Sequence, residues 1–105
     1  PALLASASDR HLDEFVTRTL GPLVERPELL ATLDAWIACN GSRTAVADQL
    51  HVHRNSVGHR LNRIAELTGL DASTLADLHQ LQTALVCHEV LAVLRGLAPG
   101  QASRT

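Results

Sequence analysis

SRTAVADQLHVHRNSVGHRLNRI, residues Ser42 to Ile64, decides the fold. It divides into a short helical half, Ser42 to Leu50, and a longer one that starts near Arg54. His51, Val52 and His53 lie between them, the turn length of a helix-turn-helix. Ala47 is small where the two helices should cross. Leu50, Val52 and Val57 supply the apolar contacts of the corner. Leu61 and Ile64 stand four and seven residues beyond Val57 and continue one buried stripe along the second helix.

Turning that stripe inward at about 100° per residue leaves Asn55, Ser56, His59, Asn62 and Arg63 outward, with Arg54 and Arg60 at the flanks. Arginine grips guanine or phosphate with a planar fork, and asparagine pairs with adenine. The pattern predicts a face that reads duplex DNA in the major groove. The same pattern also fits a helical hairpin whose polar side is simply solvated.

Composition points to an all-α domain of about five helices, with the helix-turn-helix at its centre and a long C-terminal helix. Hydrophobic residues make up 46% of the 105, chiefly Leu, Ala and Val, against 2% aromatics, Phe15 and Trp36. Leu and Ala favour helix, and no segment alternates as a half-buried strand would. The net charge of -2 does not announce a nucleic-acid binder, but its distribution is uneven. Arg43, Arg54, Arg60 and Arg63 face only Asp48 within the central stretch, whereas the flanking segments carry more acid than base. For DNA a local basic patch matters more than the net figure.

In chain order, Pro1 to Ser8 reads as the frayed remnant of an upstream linker, and the absence of an initial Met suggests a piece of a longer protein. The domain is expected over residues 9–97. Ser8 or Asp9 should cap a first helix with Leu12, Phe15, Val16 and Leu20 inward, stopped by Gly21-Pro22. Pro27 suits the first position of a second helix, whose Leu29, Leu30, Leu33, Trp36 and Ile37 face the core until Asn40-Gly41. Ser42 caps the third helix, and the fourth runs from about Arg54 to Thr68 before Gly69. Gly58 lies inside it and costs roughly 1 kcal/mol relative to Ala. It could admit a DNA backbone or a neighbouring helix, or be a plain weak spot. After a capped break at Asp71 to Thr74, a fifth helix extends to about Arg95. Leu75, Leu78, Leu81, Leu85, Val86, Val90, Leu91, Val93 and Leu94 spread around it, more apolar surface than one neighbour needs. Packing against a second copy and burial over the first two helices are both open. Residues 98–105 are expected to be disordered.

Leu50 to Val57, then Arg60-Leu61, Arg63-Ile64 and Leu67-Thr68-Gly69-Leu70, resemble the C-terminal helix-turn-helix of PucR-type bacterial transcription factors, which include purine-catabolism and sugar-diacid regulators. The likeness extends from about Leu12 to Leu94 and is most specific at HVHRNSV. The resemblance implies an all-helical DNA-binding unit at the end of a longer chain, with sensor or degenerate cyclase-like domains before it. Arg54, Asn55, Ser56 and Arg60 match the positions expected to touch DNA, with Arg63 one turn on. Two departures stand out: Gly58-His59 replaces the family's usual Arg or similar polar residue followed by Tyr, and His51 occupies a turn that often holds Gly.

The assignment that follows has Arg43 and Thr44 holding phosphates, His53 meeting a backbone amide or a phosphate, and Asn55, Ser56 and His59 approaching base edges. One such unit neutralises few phosphates, so a homodimer reading a palindromic operator is expected. The rival is a helical dimerisation or interaction module that has lost DNA contact.

No enzyme, cofactor or metal is expected. His51, His53 and Cys39 make at most half a zinc site. Cys87 and His88, adjacent in a helix, point apart, and no phosphate loop or carboxylate pair is present. Without a membrane span or signal sequence, and with two isolated cysteines, the chain reads as cytoplasmic and associated with the bacterial nucleoid.

Overall fold

The computed structural model describes residues 2–96, with side chains from residue 10 onward. Among them the regular elements are all helices: α1 (Ala2–Val24), α2 (Pro27–Ala38), α3 (Arg43–Leu50), α4 (Arg54–Thr68) and α5 (Leu75–Leu94). The expected tail, residues 98–105, lies outside the described residues.

Helix α1 departs from expectation at both ends. Ser8 and Asp9 lie inside it instead of capping it, because the ALLASA run before them is mostly Ala and Leu, strong helix formers, and contains no breaker. Gly21-Pro22 does not stop it. Pro22 falls in the last turn, where the missing N–H forfeits a single bond, and continuing the helix buries Leu23 completely beside Leu20. Val16, Thr19, Leu20 and Leu23 form the inner stripe, with Leu12 and Phe15 half-buried at its edge.

The caps of the central elements follow the sequence. Pro27 opens α2. Helix α2 closes in a Schellman pattern: Gly41 N–H donates to the Trp36 carbonyl at 3.0 Å, and Asn40 N–H to that of Ile37 at 3.2 Å. Asn40 and Gly41 both take positive φ, 53° and 78°. The Gly41 backbone lies against the Trp36 ring, so close that a Cβ there would stand 3.4 Å from Cζ2.

Trp36 is also tied across the molecule. Its Nε1–H donates to the Ala72 carbonyl at 3.0 Å, joining α2 to the α4–α5 connection. That connection is stiffened by Asp71, whose carboxylate accepts from the Ser73 hydroxyl at 2.6 Å and the Ser73 amide at 2.8 Å. These two bonds hold the exposed Asp71 carboxyl below its ordinary range. The Asp71 N–H donates in turn to Asp77 on the first turn of α5 at 2.9 Å.

Helix α5 packs chiefly along α1, while α4 touches α1, α2 and α3. Leu81, Ala84 and Leu91 are its buried residues, and Leu78 and Leu85 are half-buried. Packing on α1 therefore accounts for part of its apolar circumference. Leu75, Val86, Val90, Val93 and Leu94 remain exposed.

Trp36→Phe keeps most of the buried area but leaves the Ala72 carbonyl without its donor. It should cost about 1–3 kcal/mol, read as a lower urea midpoint at unchanged slope.

Candidate nucleic-acid interface

The corner between α3 and α4 is set by two local hydrogen-bond patterns. Ser42 Oγ accepts from the Ala45 N–H at 3.2 Å and caps α3. Helix α3 ends in a second Schellman pattern. Val52 N–H donates to the Ala47 carbonyl at 3.0 Å, with His51 at the left-handed position, φ 57°. This is where many such turns place Gly, and the non-glycine residue accepts some strain there. His53 then caps α4 from its extended backbone, its Nδ1 accepting from the Asn55 N–H at 3.0 Å. Of the two expected roles for His53, the structure shows the backbone amide contact.

Val57 and Ile64 are completely buried and Leu61 nearly so, and Val46 and Ala47 face them from α3. With that stripe inward, Asn55, His59, Asn62 and Arg63 are exposed on the outer side of α4, Arg54 is exposed at its first residue beside the stripe, and Arg43 and Thr44 are exposed at the start of α3. Thr44, His53 and Arg54 also line a shallow depression of about 370 Å³ over the corner, with Asp48 on its rim. These are the expected residues that the fold brings together.

Two expected residues stand apart from that group. Ser56 is half-buried. Arg60 is turned toward α2, where its Nη1 donates to the Thr32 hydroxyl at 3.4 Å. Thr32 is fully buried and gives its own proton to the Glu28 carbonyl at 2.7 Å, so its oxygen is left to accept. The sequence placed Arg60 at a flank but held no sign of this partner, since Thr32 is 28 residues away. Arg63, on the outer face, pairs with Glu66 at 3.2 Å, an exposed contact of small energetic weight.

Gly58 is the residue whose role was least legible. It is buried, and the group over it is the guanidinium of Arg43: a Cβ at 58 would lie 3.1 Å from Nη1 and 3.5 Å from Cζ. A neighbouring helix does approach here, through one side chain. Cys39 turns its thiol to the Gln49 side-chain oxygen at 3.4 Å. Among the described residues no three His, Cys, Asp or Glu side chains gather as a metal site would require, and no helix is long and apolar enough to cross a membrane.

The family model of the PucR C-terminal helix-turn-helix domain matches residues 29–87, from the start of α2 into α5. The chain belongs to this family. Within it, the carbohydrate diacid regulator of Escherichia coli is 44% identical over 61 residues, covering 58% of this chain and 16% of that protein. An uncharacterised Mycobacterium tuberculosis protein is 41% identical over 69 residues, covering 65% of this chain and 17% of that one. The crystal structure of a regulator of polyketide synthase expression from Bifidobacterium adolescentis superposes with a TM-score of 0.62 at 33% identity, over 82% of this chain and 36% of that one. The PucR-type domain thus spans about a sixth of the length of these curated relatives.

Removing the imidazole cap by His53→Ala should destabilise the PucR-type domain by about 1 kcal/mol, whereas His53→Ser should keep most of the stability. Urea denaturation of the two variants beside the parent checks this.

Proposed function

We propose that this domain binds double-stranded DNA as the output unit of a bacterial transcriptional regulator, with α4 in the major groove. The observation that carries the reading is the outer face of α4. Asn55, His59 and Asn62 are exposed side by side on a helix whose opposite side is locked into the core, and Arg54 is exposed at its first residue. Membership of a helix-turn-helix family, and the likeness to the carbohydrate diacid regulator of Escherichia coli, support it. Asn55 and His59 approach base edges, and Arg54 and Arg63 meet the strands at the groove's margins. Arg43 and Thr44 hold phosphate at the start of α3. His53 orders the first turn of α4 through its cap.

Arg60 and Ser56 act at the edge of this surface. The Thr32 contact sets the direction of the Arg60 side chain, so Arg60 reaches the DNA backbone only from the α2 side.

The domain works as a homodimer in this reading. Val86, Val90, Val93 and Leu94 follow helical spacing along α5 and are between 42% and 65% exposed, with Glu89 beside them. A second copy laid along this stripe would remove it from water, and reading a palindromic operator requires the two α4 helices of such a pair to stand about 34 Å apart, one helical turn of DNA. The relatives are far longer than the stretch they share with this chain, which supports a sensor part elsewhere in the full protein, in which the effector is read. Such a protein works in the cytoplasm, on the nucleoid.

Titration against mixed-sequence duplex at low and moderate salt tests the core of the proposal. Salt-sensitive binding is expected. No binding at low salt, even at high protein concentration, would point instead to an interaction module without DNA contact. Asn55→Ala should cost about 1–3 kcal/mol at one base pair and relax the choice of base there, read by competition with single-base operator variants. Val90→Glu should shift the sedimentation profile from dimer to monomer and weaken binding to a palindromic site more than to a half-site.

A further inference from the structure

Helix α4 carries a buried glycine in its second turn, at a position that costs the helix about 1 kcal/mol relative to Ala. The space left by the missing side chain is occupied. Arg43, the first residue of α3, lays its guanidinium over Gly58, with Nη1, Cζ and Nη2 at 3.1, 3.5 and 4.0 Å from where a Cβ would stand. Among the described residues Arg43 makes no hydrogen bond or ion pair within the protein, unlike Arg60, which is held by Thr32, and Arg63, which is held by Glu66. Its position is set by packing, and its five N–H donors are left for another acceptor.

We infer that Gly58 is a seat for Arg43, and that Arg43, so placed, is a phosphate contact shared by both helices of the corner. The inference rests on the DNA-binding reading and deepens it. Residue 58 is about 100° around α4 from the buried Val57, on the flank between the core stripe and the outer face of Asn55 and His59. When the outer face lies in a groove, a cation on that flank meets the strand that borders the groove, and the bases lie beyond its direction. A Cβ at 58 would make the guanidinium give by a few tenths of an ångström, and a longer side chain would take its place. The glycine leaves room for it close to α4, where its direction is restricted before DNA arrives.

The test compares the parent, Arg43→Ala, Gly58→Leu and the double variant by the slope of log affinity against log salt on one duplex, after circular dichroism shows each to be helical. Arg43→Ala should lower the slope by about 0.9, the loss of one phosphate contact, and weaken all sequences alike. Gly58→Leu should lower it by the same amount, and the double variant should lose nothing more. Parent-like slope in Gly58→Leu, or losses that add in the double variant, would overturn the seat. A change of base preference in Arg43→Ala without a change of slope would overturn the phosphate assignment. Gly58→Met is the fallback should Leu unfold the domain: its unbranched side chain also takes the space of the guanidinium, so the slope should fall as for Leu, and a parent-like slope there counts against the seat. A parent that fails to bind duplex at low salt defeats the DNA reading itself, an outcome distinct from every one above.

Discussion

The burial of Val57, Leu61 and Ile64 determines how α4 is rotated about its own axis, and that rotation decides everything the surface can do. A helix of 3.6 residues per turn cannot hide this stripe without presenting Asn55, His59 and Asn62 on the other side. The three side chains are clamped from three directions, because α4 lies against α1, α2 and α3 at once. Rolling α4 by one residue would bring a polar side chain into this core and expose one of the three. The polar face therefore has a fixed outlook, which a recognition surface needs and a merely solvated helix does not.

The frame that holds α4 is closed at its far end by Trp36. One ring packs on Gly41 at the close of α2 and donates to Ala72 beyond α4, so the segments that enter the corner and leave α4 are tied to the same side chain. The corner itself is regulated by hydrogen bonds more than by bulk. Ser42, His51 and His53 supply the start of α3, its left-handed end and the start of α4 in succession. Each satisfies helix-end groups that would otherwise be left without partners.

Electrostatically the surface is mixed. The four arginines of the corner have separate surroundings: Arg43 on Gly58, Arg54 in the open, Arg60 on Thr32 and Arg63 beside Glu66. Asp48 sits at the rim of the depression over the turn. Under the DNA-binding proposal, such a surface would hold DNA through few strong contacts, and the proposed second copy answers the same arithmetic as the local charge. The exposed valines of α5 and the small basic patch are in this sense two sides of one problem.

The order of helices, the caps at Ser42 and Gly69, the proline start of α2 and the inward stripe of α4 could be read directly from residue spacing, because each rests on contacts within a few positions of the chain. Local rules misjudged α1, where Pro22 falls in the last turn and the burial of Leu23 outweighs one missing bond. They also missed Ala84 as a core residue of α5, since a small side chain signals burial only when a neighbouring helix is known to lie against it. The sequence alone determined that a helix-turn-helix with a polar outer face exists, through the period of its apolar residues. Only the tertiary structure decided which arginines stay on that face, because Thr32 and Gly58 meet Arg60 and Arg43 through space, across helix boundaries that no periodicity spans.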